Sequence, residues 1–302
     1  MSSPELSFPP QALPALYHAA DQTSLKKQQS YLRLFLCVLI TTSAAPAVII
    51  LGALCSSLAQ PARFIAAILL VTSLLITAKI KDSQRERTWY GARAVAESVK
   101  TSAWRFAMAA DPFPVSLAAP AAQSLFQTTL NEILKDRQSL NYSSAGETNS
   151  QAQITAQMQS LRNATWQERL QTYVTDRVQD QRHWYAKKAS DSDSRESIYF
   201  WVILSSQLAS VVAAAAFAAW PTLHINLAAI FTAGTASLLA WLQVKRYQET
   251  AQSYALAAQE LGIIEAGAAT VTSEQEFAKF VADAENAMSR EHTLWVAKKD
   301  AK

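Results

Sequence analysis

Four histidines are the residues best suited to acid–base or metal chemistry, and they are scattered along the chain as His18, His183, His224 and His292. Only His292 has a carboxylate beside it, Glu291. An active site needs a nucleophile, an acid, a base or a metal held in one place. The HExxH, GxSxG, Walker and GxGxxG motifs that would provide these groups do not occur in the sequence. The sequence therefore predicts that the chain is not an enzyme and binds no metal or cofactor.

Two further arrangements resemble ligand sets only superficially. Asp191 and Asp193 alternate with serines, and we interpret residues 190–194 as a solvated joint rather than a metal-binding loop. Cys37 and Cys55 lie far apart, on the order of 27 Å along a single helix, so they cannot bridge each other within it. Without a disulfide framework or a CxxC spacing, a reducing, cytoplasmic environment is expected for the soluble parts.

A small polar cluster, Ser206, Gln207 and Ser210, lies near the centre of an otherwise apolar stretch. A polar side chain inside a bilayer needs a partner, from another helix or from water. The cluster therefore has two interpretations, helix packing or the lining of a pore, of which packing is favoured. Spans without charge form a poor ion pathway in a single copy, so a pore would need several copies.

A second candidate site follows the first apolar block, at helical spacing. It comprises Trp89, Arg93, Glu97, Lys100 and Trp104. The charged members form i,i+4 and i,i+3 pairs, each worth about 0.2–0.5 kcal/mol on a helix surface. The simpler interpretation is a solvated, salt-bridged face. The sharper one is a cytoplasmic face that couples a signal to the membrane.

These residues must be positioned by two apolar blocks. Arg63 is the only charge between residues 34 and 78, and residues 197–244 contain no Lys, Arg, Asp or Glu. A spanning helix needs about 20 apolar residues, so each block can cross a bilayer twice. The sequence predicts an all-α membrane protein with two transmembrane hairpins and long cytoplasmic helices that form a bundle. The predicted spans are 34–59, 64–80, 198–220 and 227–244, with proline-bearing turns at 60–63 and 221–226.

Charge elsewhere in the chain sets the topology and excludes one class of partner. Fifteen Lys and Arg residues flank the outer ends of the predicted spans, whereas the two turns contain only Arg63. The positive-inside rule then places both termini in the cytoplasm. A net charge of +3 is too small for the concentrated basic face that nucleic acids require.

The composition also suggests domain boundaries. Residues 1–14 hold four prolines and are predicted to be flexible. Two domains of one hairpin each are expected at 15–138 and 154–302. The polar, breaker-rich stretch 139–153 is the predicted linker.

Six strings together carry a family resemblance: Ala15–Asp21, Tyr31–Phe35, Trp89–Phe106, Asp176–Tyr185, Tyr247–Leu261 and Ser289–Trp295. The chain resembles the bacterial SLATT proteins, the SMODS- and SLOG-associating effector domains with two transmembrane helices. It resembles the tandem form, in which a third-type domain precedes a first-type domain.

The resemblance implies a multi-pass protein of the bacterial inner membrane that acts in a prokaryotic conflict system. There it would oligomerise and permeabilise the membrane when a nucleotide-second-messenger synthase or sensor, encoded nearby, is activated. The implied partners are the lipid bilayer, further copies of the chain and that synthase or sensor. The alternative is a non-conducting scaffold or sensor that docks a cytoplasmic partner.

Overall fold

A computed structural model describes residues 6–135, 152–220 and 225–300, with side chains described as far as residue 289. Within these residues the chain forms helices joined by turns, with no strand, as the all-α prediction requires. Ten α-helices occur: α1 Ala15–Ala53, α2 Ser56–Asp82, α3 Arg85–Ala107, α4 Ala119–Lys135, α5 Ala156–Arg162, α6 Trp166–Tyr173, α7 Asp180–Ala219, α8 Ala228–Lys245, α9 Tyr247–Gly267 and α10 Glu274–Asp300.

The chain divides into two compact units, and each unit takes segments from both halves of the sequence. Unit 1 comprises residues 1–27, 86–189 and 252–302, and unit 2 comprises residues 28–85 and 190–251. Both apolar blocks lie in unit 2. The residues therefore cluster by their solvent preference rather than by their order in the chain.

Among the residues that the structure describes, three helical runs are long and apolar enough to cross a membrane: Ala15–Ala53, Ser56–Ala107 and Trp166–Ala219. Of the residues in their most apolar stretches, only 6%, 11% and 6% are buried within the protein. The remaining apolar helix, α8, has 18 residues and is not among these runs, so a fourth span stays a prediction. Helix α8 is the shortest of the four apolar helices.

The first hairpin turns earlier than predicted, at Leu54 and Cys55, so the predicted break at 60–63 is wrong. Pro61 and Arg63 lie inside α2 instead. A Cβ added to Gly52 would come within 2.1 Å of the Ala62 Cβ, so the turn depends on the close approach of two small residues. Proline inside a helix is tolerated in lipid when neighbouring groups satisfy the freed backbone.

The predicted joint at 190–194 is also wrong, because these residues lie inside α7. Helix α6, a π-helical segment Val174–Gln179 and α7 form one continuous helical run. The predicted linker 139–153 lies outside the described residues, apart from 152 and 153. The predicted turn at 221–226 is described only at 225 and 226.

Unit 1 has a core of large side chains. Phe106, Phe113 and Phe126 are fully buried, and their ring centroids lie 5.0–5.8 Å apart. The Arg162 guanidinium donates hydrogen bonds to the carbonyl oxygens of Phe106 and Phe113 at 3.0 and 2.8 Å. This bond pattern ties α5 to the loop that follows α3.

The N-terminal segment belongs to this core, so the expectation of a flexible segment 1–14 is wrong for residues 6–14. Phe8 is 3% exposed and its ring packs edge-on against Trp104 at 4.6 Å. The Phe8 backbone N–H donates to the Asp176 carboxylate at 2.8 Å. Burial of an aromatic ring overcomes the disorder that the prolines suggest.

Candidate functional site

The polar cluster of α7 is divided by the structure. The Ser206 hydroxyl donates to the Phe231 carbonyl at 3.2 Å and accepts from the Thr235 hydroxyl at 2.9 Å. The Ser210 hydroxyl lies 2.9 Å from the Thr232 hydroxyl. Both serines therefore join α7 to α8. Gln207 does not share this contact and is exposed.

Further hydroxyl pairs, which the sequence did not single out, connect the other helices of unit 2. Thr42 and Ser73 join α1 to α2 at 3.0 Å. Ser43 and Ser237 join α1 to α8 at 2.6 Å, and this contact connects one hairpin to the other. The only signal for them in the sequence is a hydroxyl residue inside an apolar run, which does not reveal its partner.

The second candidate site lies on α3 in unit 1, and it is less solvated than the simpler interpretation supposes. Trp89 is 9% exposed and Trp104 is 3% exposed. Arg93 and Glu97 form an i,i+4 ion pair at 3.0 Å whose side chains are partly buried. Burial, together with the nearby Arg177 guanidinium, lowers the pKa of Lys100. The charges of this helix thus face the interior of the bundle as well as its surface.

A buried ion pair crosses the bundle from the π-helical segment to α10. Arg177 donates two hydrogen bonds to the Glu285 carboxylate, from Nε at 2.8 Å and from Nη2 at 2.7 Å. The side chains of Arg177 and Glu285 are 2% and 0% exposed. The same carboxylate accepts from the Tyr173 hydroxyl at 3.0 Å and the Thr101 hydroxyl at 2.8 Å. Four donors therefore hold one buried charge.

This network has two consequences for its members. Burial and the Glu285 carboxylate raise the pKa of Tyr173 well above its ordinary value, so the phenol stays protonated and can donate. The Arg177 Nη1 group is buried and has no hydrogen-bond partner. π-Helical turns are rare, and those that do occur are frequently found at functional sites. Here the π-helical segment contains Arg177.

A cavity of about 360 Å³ adjoins this network within unit 1. Its wall includes Lys100, Trp104 and Arg177, together with the acidic residues Asp176 and Asp180. The N-terminal residues 7–10 and Leu13 also line it. Burial and the nearby Asp21 carboxylate raise the pKa of Tyr17, which also lines the cavity, to about 12. Charged and aromatic groups together could hold a small polar ligand.

Two protein-family models match the chain, one in its N-terminal half and one in its C-terminal half. Residues 14–170 match SMODS and SLOG-associating 2TM effector domain 3, and residues 173–295 match SMODS and SLOG-associating 2TM effector domain 1. The chain belongs to the SLATT family. The order of the two SLATT types is the predicted one. No curated protein and no solved structure matches the chain.

Each of the two hairpins lies within one of the two matched SLATT segments. The type 3 segment contains α1 and α2, and the type 1 segment contains α7 and α8. The chain is therefore a membrane protein built from two SLATT effector domains of conflict systems. The segments meet between residues 170 and 173, inside the continuous helical run that contains α6 and α7.

Proposed function

We propose that the chain is an oligomeric effector that permeabilises the bacterial inner membrane on a cytoplasmic, nucleotide-linked signal. The observation that carries the proposal is the inverted packing of unit 2. Phe64 and Ile68 are 64% and 65% exposed, while Ala62 and Ala66 are 6% and 2% exposed. A surface of large apolar side chains around an interior of small ones suits a lipid solvent, where small residues allow helices to pack closely.

The topology in this proposal follows from charge. Lys and Arg residues flank the outer ends of the apolar segments, with Lys79 and Lys81 in the last turn of α2 and Lys245 at the end of α8. The positive-inside rule favours the cytoplasm for these ends. Both termini and unit 1 would then be cytoplasmic, with α8 as the fourth span.

Permeabilisation requires more than one copy. Hydroxyl groups such as those of Ser206 and Ser210 are already bonded to α8 within one copy. A water-filled path would have to form where several copies meet, because lipid offers polar groups no hydrogen bonds. The proposal thus makes the oligomer, rather than the monomer, the conducting form.

Unit 1 would receive the signal. Its cavity is lined in part by Lys100 and Trp104 of α3, and Thr101 of the same helix donates to the buried Glu285 carboxylate. The cavity wall carries cationic, acidic and aromatic groups. The signal source would be a nucleotide-second-messenger synthase or sensor encoded nearby. In this proposal the chain binds neither nucleic acid nor a metal or other cofactor, and it acts without catalysis.

A leakage assay tests the proposal. The full chain would be reconstituted into phosphatidylethanolamine–phosphatidylglycerol vesicles loaded with a self-quenching dye, with and without the product of the neighbouring synthase. Dye release that depends on the chain is expected, and protein-free vesicles are the control. The same chain expressed in cells should collapse the membrane potential reported by a dye. Intact vesicles and an unchanged potential, with the synthase present, would contradict the proposal.

The cavity favours one alternative, a non-conducting scaffold or sensor that docks a cytoplasmic partner. Under this alternative the chain would capture a partner in a pull-down and cause no leakage. Lys100→Gln should weaken capture, because Lys100 lines the cavity, whereas Lys187→Gln, on an exposed position of α7, should not. Toxicity on overexpression would argue against the alternative.

A further inference from the structure

Gln207 carries the amide side chain of the third apolar segment, 198–220, and lies close to the centre of that segment. Residues 198–220 contain no other Asn or Gln, and the segments 34–59 and 64–80 contain none. Gln207 is exposed. Within the part of the chain that the structure describes, no hydrogen bond to its amide is found.

Unlike Gln207, the neighbouring serines have hydrogen-bond partners on another helix. Ser206 and Ser210 have partners on α8, and a serine hydroxyl can in addition bond to a carbonyl of its own helix. The longer amide of Gln207 carries one acceptor and two donors. In hydrocarbon, unsatisfied polar groups are costly, because no water is present to replace the missing bond. A partner for Gln207 must therefore come from outside the described chain.

The surface around Gln207 has the spacing of a helix–helix seam. Most residues of α7 between 200 and 218 are exposed, and the exposed positions on the side of Gln207 lie at alternating intervals of four and three: Phe200, Leu204, Gln207, Val211, Ala214 and Ala218. This is the heptad pattern of a left-handed helix pair, in which a single buried polar residue fixes the register. We call these six residues the α7 seam. The contact with α8 uses other positions, including Ser206 and Ser210.

Self-complementarity identifies the occupant of the seam. An amide both donates and accepts, so two amides can bond to each other across a pair of helices. Copies inserted with one topology carry Gln207 at the same depth, where each amide finds the other. We propose that the α7 seam packs against the same seam of a second copy, with hydrogen bonds between the two Gln207 amides. The inference rests on the proposed oligomeric effector and names its interface.

Cysteine cross-linking in membranes tests the interface. The native Cys37 and Cys55 are exposed and would first be changed to alanine. Leu204→Cys and Val211→Cys place a thiol on the α7 seam while keeping Gln207. Val212→Cys is the matched control, because residue 212 is also exposed but lies about 140° around the helix from Gln207. Oxidation of the full chain in vesicles should give dimers for the two seam variants and few for the control.

The amide itself is tested by adding Gln207→Leu to the Leu204→Cys variant. The dimer fraction should fall about three- to tenfold, the range expected from one hydrogen bond between helices in a membrane. Leucine is compatible with lipid, so the variant should insert normally. Equal cross-linking of Val212→Cys, an unchanged dimer fraction in Gln207→Leu, or an adduct whose mass is not that of two copies would overturn the assignment.

These outcomes separate the interface from the pore. Seam-specific dimers without dye leakage would support the interface and contradict the proposed function. Leakage without seam-specific dimers would support the function and overturn the interface.

Discussion

The two units of the molecule differ in where their large apolar side chains lie. Unit 1 buries Phe106, Phe126 and Tyr173 completely, as a protein in water does. Unit 2 exposes Phe64 and buries Ala66. In water the hydrophobic effect drives large apolar side chains inward, whereas lipid is as apolar as they are and removes that driving force. Close packing of small residues then holds the helices together.

The polar groups differ between the units in the same way. Unit 1 uses a charged pair, Arg177 and Glu285, surrounded by further donors. Unit 2 uses neutral hydroxyl pairs such as Ser43 and Ser237. A buried charge is tolerated where several hydrogen bonds surround it, whereas an ionised group in the bilayer is expensive. Each unit is therefore stabilised by contacts suited to its own solvent.

The largest effect should come from truncating a buried ring of unit 1. Phe126→Ala should lower the free energy of unfolding by about 3–5 kcal/mol, because Phe126 is fully buried and its loss leaves a cavity. The urea midpoint of the detergent-solubilised chain, followed by far-UV circular dichroism, measures it. Phe64→Ala in unit 2 is the control and should change the free energy by less than about 0.5 kcal/mol. Equal losses from both variants would show that exposed and buried rings contribute alike to the stability of the two units.

Removal of the buried carboxylate should have an effect nearly as large. Glu285→Ala leaves Arg177 charged and unpaired in the core of unit 1, which costs about 3–5 kcal/mol. The same urea titration measures it.

The matched control is Glu265→Ala, which breaks an ion pair with the 47% exposed Arg182 and should cost about 0.2–1 kcal/mol. The double variant Arg177→Met with Glu285→Met should recover part of the loss, because no unpaired charge remains. If Glu285→Ala were no worse than Glu265→Ala, the ion pair would not stabilise unit 1.

The coarse fold could be predicted from the sequence, because hydropathy and charge are local properties. The apolar blocks, the helical class and the order of the SLATT types all follow from residues that are contiguous in the chain. The turn at Leu54 and Cys55 did not follow, since it depends on the contact between Gly52 and Ala62. The proline at position 61 suggested a turn there, but this tertiary contact places the turn earlier, and Pro61 lies inside α2.

The candidate sites were less predictable for the same reason. Arg177 and Glu285 are 108 residues apart, and no local pattern pairs them. On α7 the sequence grouped Ser206 with Gln207, but successive residues of a helix point about 100° apart. Only the position of α8 shows which of the two is bonded within the chain.

A smaller loss of stability is expected when a side chain is added to Gly52, at the turn of the first hairpin. Gly52→Ala should destabilise the first hairpin by about 1–3 kcal/mol, because the new Cβ would overlap the Ala62 Cβ. Titration with sodium dodecyl sulfate in mixed micelles measures the unfolding of such helices.

Gly234→Ala is the control within the same unit, since nothing lies within 4 Å of the position of its Cβ. Alanine favours helix over glycine by about 0.8–1.0 kcal/mol, so this variant should be neutral or more stable. A Gly52→Ala chain as stable as the Gly234→Ala chain would show that the close approach at the turn is not required.

The smallest effect should come from the hydroxyl pair between the hairpins. Ser43→Ala removes the 2.6 Å contact with Ser237 and should cost about 0.6 kcal/mol, the average for such bonds between membrane helices. Thr41→Val is the control, because the Thr41 hydroxyl bonds to the Cys37 carbonyl of its own helix. A double-mutant cycle with Ser237→Ala isolates the pair. A coupling energy near zero would mean that this hydroxyl pair does not hold the hairpins together, in contrast to the role expected for the charged network of unit 1.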